Sequence, residues 1–155
     1  MKIWVDADAC PGAVKDIVTT AAYRKSIEAI FVANKAIALP TTPLLSSVVV
    51  DMSADAADRY IAEGAVPGDL VITQDIPLAH ILVHNEVMVI NPRGERFTAE
   101  NIGERLSIRN LLQDVRDTGE ITGGPKPFGD REKRAFAATF DRELTRLIRE
   151  SQRKS

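Results

Sequence analysis

Gly68-Asp69-Leu70-Val71-Ile72-Thr73-Gln74-Asp75-Ile76-Pro77-Leu78 is the stretch on which the fold turns. A Pro67-Gly68-Asp69 turn leads into Leu70 to Thr73, and an acid, Asp75, follows just before a helical stretch from about Pro77 to His84. A short run without polar alternation suits a strand buried on both faces, as in a parallel sheet. The same order of events occurs at the start of the chain, where Ile3-Trp4-Val5 ends at Asp6 and Asp8 follows. Pro11 and Gly12 then punctuate before a helix from about Ala13 to Arg24.

Outward from these two blocks the alternation continues. Ile27 to Val32 reads as a second strand, 34–46 as a loop marked by Pro40 and Pro43, and Val48-Val49-Val50 as a third buried strand. Ser53 is placed to N-cap a helix running to about Glu63 and stopping at Gly64. Val87 to Ile90 is a fifth strand, followed by a turn at Asn91-Pro92-Arg93-Gly94. Two longer helices are expected over about Thr98–Arg116 and Arg131–Arg149. The first has Ile102, Leu106, Ile108, Leu111, Leu112 and Val115 on its apolar side; the second has Phe136, Phe140, Leu144, Leu147 and Ile148. Residues 118–130, rich in Gly and Pro, read as a mobile loop inside a single domain spanning 1–155. The expectation is a three-layer α/β domain with a mainly parallel, roughly five-stranded sheet.

Composition narrows the classes. The chain has 155 residues, 45% hydrophobic and 27% charged, which excludes disordered, collagenous and coiled-coil proteins. A formal net charge of -2 excludes a globally basic nucleic-acid binder. The single cysteine, Cys10, excludes a disulfide framework and a thiolate zinc site, and no disulfide-linked partner is expected. No apolar run is long enough to span a bilayer, so a soluble, cytoplasmic protein with no membrane partner is expected.

Ligands of open α/β sheets bind at the carboxyl ends of the strands. Asp6, Asp8 and Asp75 fall there, and if the first and fourth strands are neighbours, Asp6 and Asp75 face each other across the switch point. Asp55 and Asp58, on the helix before the fourth strand, share a face at i, i+3 spacing. Carboxylates gathered in one pocket stay ionised only with a cation among them. Oxygen donors select Mg²⁺ or Mn²⁺, which can serve hydrolysis of a phosphodiester. Simpler roles exist: Asp75 can N-cap the next helix, Asp8 the first one, and Asp55 and Asp58 can be solvated. Asp6 is the hardest to explain that way, because it ends a buried strand.

Asp6-Ala7-Asp8-Ala9-Cys10-Pro11, Asp55-Ala56-Ala57-Asp58, the Gly68-to-Ala79 block, Asn91-Pro92-Arg93-Gly94 and Gly124-Pro125-Lys126-Pro127-Phe128 together resemble the YaiI/YqxD family of uncharacterised bacterial proteins. That family in turn is similar to PIN-like domains, metal-dependent ribonucleases built on a five-stranded parallel sheet. The resemblance places Asp6, Asp58 (with Asp55 as a rival) and Asp75 as metal ligands, and Asp8 beside them in catalysis. Thr73, Gln74, Arg93, Lys126, Phe128 and Arg131 are expected at the substrate, Phe128 as the exposed aromatic of the loop. The glutamate that many PIN domains carry on their second helix has no counterpart here; Asp130 is one candidate to add an acid. A second resemblance is to haloacid-dehalogenase-type phosphatases, in which Asp6 would be the nucleophile and Asp8 the general acid/base. A third reading is a non-catalytic module binding RNA or a nucleotide in the same cleft. Cys10 at a helix start lacks a nearby histidine, and His80 with His84 reads as a partly buried structural pair.

Charge is unevenly spread. Residues 131–155 hold eight basic and four acidic side chains, a local net of +4 that leaves −6 for residues 1–130. A basic flank beside an acidic pocket would suit an RNA partner, the flank positioning the backbone. With aromatics at 5%, extended base stacking is not expected. A homo-oligomer is compatible with all of this.

Overall fold

The computed structural model describes residues 1–53, 55–117 and 127–154. In chain order they form β1 (Lys2–Asp6), α1 (Gly12–Lys25), β2 (Glu28–Ala33), β3 (Leu45–Val49), α2 (Ala56–Gly64), β4 (Leu70–Ile72), α3 (Ile76–His84), β5 (Met88–Ile90), β6 (Arg96–Phe97), α4 (Ile102–Asp117) and α5 (Asp130–Lys154). One sheet runs β3-β2-β1-β4-β5-β6, parallel except for β6. The α/β class and the parallel sheet are as expected; β6 is a short antiparallel addition at the edge.

Alternate residues of each inner strand feed two separate cores. Ile3 and Val5, Ala29 and Phe31, and Leu70 and Ile72 pack with α1 and α5, through Val14, Val18, Phe136, Phe140 and Leu144. Trp4, Ile30, Val32 and Val71 pack with Ile61 of α2, Leu78 and Leu82 of α3, and Ile102 of α4. Each fully buried aliphatic side chain contributes about 1.5–3 kcal/mol, so the sheet is held from both faces. Ile3 pairs with Leu70 and Val5 with Ile72, which makes β1 and β4 neighbours. The chain leaves β1 toward β2 on one side and returns to β4 on the other, so the crevice at their carboxyl ends is the topological switch point.

Four local expectations are corrected. The third strand is Leu45–Val49 rather than 48–50, and it is an edge strand: Val48 and Val50 face the core while Val49 is 58% exposed. Its β-branched run reflects fit to a pleated surface, not burial on both faces. Ser53 does not cap α2; its hydroxyl bonds the Asp51 carboxylate, and the helix starts at Ala56 behind Asp55. α4 starts at Ile102 because Thr98 and Asn101 cap each other, Asn101 Oδ1 accepting from Thr98 N at 2.8 Å and Thr98 Oγ1 from Asn101 N at 3.2 Å. Its apolar side is mostly uncovered: Ile102 is buried, but Ile108, Leu111 and Leu112 are exposed. Its packing neighbour α3 has nine residues and reaches along only part of a sixteen-residue helix. Val115 and the mobile-loop expectation over 118–126 lie outside the described side chains and residues. α5 extends past the expected Arg149 to Lys154.

Among the described residues no helix is long and apolar enough to cross a membrane, and Cys10 is a free, buried thiol.

Candidate functional site

Asp6, Asp8, Asp58 and Asp75 line one pocket of about 220 Å³, with Asn34 and Asp51. Asp6 stands at the end of β1, where the backbone emerges from the core. Its Oδ2 accepts the Thr73 hydroxyl at 2.8 Å, and Thr73 Oγ1 in turn accepts Asp75 N–H at 3.0 Å. One buried hydroxyl thus fixes the two strand-end acids relative to each other. Burial pushes the Asp6 carboxyl above the usual carboxylate range; the Thr73 bond opposes this, and Asp75 and Asp8 add to it.

Asp75 is the N-cap of α3, its Oδ1 accepting Leu78 N–H at 2.8 Å, with Pro77 in the first turn. The simpler role is therefore real, but it uses only one carboxylate oxygen. Asp58, in the first turn of α2, reaches the same place from across the crevice. Its carboxyl is pushed up to about 7, by desolvation first, then by its hydrogen bond to Asp75 and the charges of Asp75, Asp6 and Asp55. A carboxyl that keeps a proton to lie against another carboxylate marks a place where positive charge is wanted. Asp55 instead turns outward to Arg59, Nε to Oδ2 at 3.6 Å. Between the rival helix acids, Asp58 is the one in the pocket, and Asp130 does not line it.

Asp8 does not cap α1, whose N-cap Pro11 has no side-chain cap bond. Both Asp8 oxygens accept Asn34 N–H, at 3.2 and 3.0 Å, tying the loop after β1 to the end of β2. Asp51, two residues after the third strand, and Asn34, directly after the second, are not singled out by the sequence reading. Asp51 carried a usable signal, an acid closing an apolar strand as Asp6 does. Its carboxyl is held below the usual range by the Ser53 hydroxyl and backbone N–H.

None of the described residues expected at the substrate lines this pocket. Thr73 is buried and spends its hydroxyl on Asp6. Gln74 pins the β1–α1 loop, donating from Nε2 to Ala9 O at 2.7 Å. Arg93 lies in the turn after β5, 3.8 Å from the Glu132 carboxylate at the start of α5. Phe128 is half-buried against the core under α1 and α5, not exposed. Arg131 is exposed on the first turn of α5, and Lys126 lies outside the described residues. Burial drives the Cys10 thiol up to about 12, so it is no nucleophile. His84 is exposed and His80 half-buried, the His84 Nδ1 lying 2.8 Å from His80 O.

The basic tail is not beside the acids. The first three turns of α5 meet the turn after β5 at the carboxyl end of the sheet, where Arg93 faces Glu132, a Cβ on Gly94 would come within 2.5 Å of Ala135 O, and Thr139 bonds Gly94 O. The helix then runs back along the sheet, so that Arg146 and Glu150 share a cavity with Met1, Asp69 and Met88 at the amino ends of the strands. Two buried acids lie outside the acidic pocket, each fully engaged. Asp69, 2% exposed, accepts from Lys2 N, Trp4 Nε1 and Val66 N. Glu143 meets Arg96, Arg142 and Arg146 at 3.2–3.4 Å. Asp69 had been read only as part of a turn, since nothing local signals a partner 65 residues away.

Residues 4–146 match the model of the family described as "Uncharacterized BCR, YaiI/YqxD family". The chain is 54% identical over 149 residues to a UPF0178 protein of Myxococcus xanthus, covering 96% of this chain and 97% of that one. A UPF0178 protein of Syntrophobacter fumaroxidans is also 54% identical, with the same coverage. One of Trichlorobacter lovleyi is 49% identical over 153 residues, 99% of each chain. No solved structure matches. The chain belongs to the YaiI/YqxD family.

Proposed function

We propose that this YaiI/YqxD protein is a Mg²⁺- or Mn²⁺-dependent hydrolase of phosphodiester bonds, acting on RNA at the carboxyl ends of β1 and β4. The observation that carries the reading is the Asp58–Asp75 carboxyl contact beside half-buried Asp6, in a crevice at the switch point. The donor set fits a hard cation. Its oxygens are the kind such ions choose, and a divalent ion would supply the positive charge that the raised Asp58 carboxyl otherwise draws from a proton. Among the described residues no three His, Cys, Asp or Glu groups form a ready-made cage. Mg²⁺ does not require one, since it binds through one or two carboxylates and keeps several waters. When bound, the ion would supply a water nucleophile and charge neutralisation at the phosphate.

The chain's own residues have separate tasks. Of Asp6, Asp58 and Asp75, one or two would hold the ion directly and the rest would act through its waters. Thr73 orients Asp6 and sets its spacing to Asp75. Asp8 keeps the β2 end closed over the pocket through Asn34 N–H. A PIN-like architecture belongs to the same proposal, supported by five parallel strands with acids at or just beyond the carboxyl ends of β1 and β4.

The test is Mn²⁺-dependent cleavage of single-stranded RNA by wild type, Asp6→Asn and Asp75→Asn. Asn retains N-cap ability, so Asp75→Asn keeps α3 and removes only the charge. Loss of cleavage in both variants supports the reading; equal activity in all three sinks it. Metal-independent release of phosphate from a phosphomonoester, with phosphate trapped on Asp6, would replace it with the phosphatase reading. Tight RNA binding without turnover under any metal would replace it with the binding module.

A further inference from the structure

The arginines of α5 make a surface that the proposed chemistry does not use. Arg142, Arg146, Arg149 and Arg153 are all exposed and border one groove of about 600 Å³. At 3.6 residues per turn they fall within an arc of about 60° and extend about 16 Å along the helix. The acids nearest them, Asp141, Glu143 and Glu150, stand on the flanks of that arc, and Asp141 and Glu150 line the same groove. Glu143 is buried, and its carboxylate is shared by Arg142, Arg146 and Arg96 from β6. One negative charge thus holds three guanidinium groups in place and leaves two positive charges over. Arg96 Nε is buried without a hydrogen-bond partner, so this cluster has more donors than its carboxylate can satisfy. Arg149 and Arg153 have no ion pair among the described residues.

We propose that this stripe is a docking surface for the phosphate backbone of a nucleic acid. Every basic side chain in it is arginine, whose planar fork grips phosphate oxygens in pairs. The opposite face of the helix is committed to the core through Phe136, Phe140, Leu144 and Leu147. No apolar or aromatic side chain stands within the arc to enter a bilayer, as an interfacial membrane helix needs. The stripe is at the amino end of the sheet and the acidic pocket at the carboxyl end. A strand held here would be gripped at a distance from Asp6, so the surface confers affinity and not bond selection.

The experiment is anisotropy of a labelled single-stranded RNA oligonucleotide, titrated with otherwise intact Asp6→Asn protein in EDTA at several salt concentrations. Cleavage plays no part in that readout, so failure of the hydrolase reading leaves it untouched. Four phosphate contacts give a slope of log affinity against log salt of about −3 for a single strand. Arg149→Gln/Arg153→Gln, at exposed positions the fold does not need, is expected to reduce its magnitude by about 1.4 and to weaken binding roughly tenfold at low salt. An unchanged slope and affinity overturn the proposal. So does tighter association with phosphatidylserine-containing vesicles than with the oligonucleotide, which would make the partner a membrane.

Discussion

The two ends of the sheet treat buried carboxylates in opposite ways. At the amino end Asp69 takes three N–H donors, as Glu143 on α5 takes three arginines, so neither charge is left over. At the carboxyl end Asp6, Asp58 and Asp75 face one another, relieved by one hydroxyl and one helix N–H. The same residue type therefore holds the fold together at one end and strains it at the other. Removing an acid should cost stability at the amino end and restore it at the carboxyl end.

The largest expected effect is at Asp69. Asp69→Ala leaves the Trp4 indole N–H and two backbone N–H groups without partners, and should lower unfolding free energy by about 4 kcal/mol. Urea denaturation measures it, and a loss under about 1 kcal/mol would erase the contrast. Next is Asp6→Asn, expected to lower Mn²⁺-dependent RNA cleavage at least about 100-fold, equivalent to about 2.7 kcal/mol of barrier. The same variant should melt no lower than wild type, which is what separates it from Asp69. Glu143→Gln breaks the arginine cluster, but its partners are 36–67% exposed and can turn to water. A loss of about 1–2 kcal/mol is expected, read by thermal melting.

The smallest effect has a distinctive pH signature. The Asp58 carboxyl is raised in the folded protein from 3.8 to about 7. The folded state therefore holds a proton that the unfolded chain has released, and stability falls as pH rises from about 4 through 7. Asp58 is half-buried and keeps contact with solvent, which screens its neighbours' charges, so the gain from Asp58→Asn at pH 8 should stay below about 1 kcal/mol. It should vanish at pH 4, and Mg²⁺ or Mn²⁺ should raise the wild-type melting temperature at pH 8 but not that of the variant. A melting temperature of wild type that rises with pH over this window, without metal, would contradict the strained-end picture.

The legible parts of this fold were those written locally. Unbroken runs such as Leu70–Ile72 and strand-end acids such as Asp6 and Asp75 announce a parallel sheet and its ligand end, because burial on both faces leaves no polar alternation. Asp58 was legible by its place one helix before β4. Partnerships across the sequence were not. Nothing near Asp69 hints at Trp4, and nothing near Glu143 hints at Arg96, because the contacts exist only once β1, β4 and α5 are assembled. The direction of α5 had the same defect. Net charge along the chain showed a basic tail, but only the packing of Gly94 against Ala135 shows which end of the sheet that tail reaches. Thr73 is expected at the substrate from its motif, whereas its hydroxyl is buried and bonds Asp6.

Asp75 serves the helix with one oxygen and the pocket with the charge of the whole group. In a descendant that had abandoned its chemistry, selection for a well-capped α3 would still hold an aspartate or asparagine at that position. Position 75 is thus a poor witness to whether a relative remains active. Positions 6 and 58, which do nothing for the fold that a neutral side chain could not do as well, are where the loss would be recorded first.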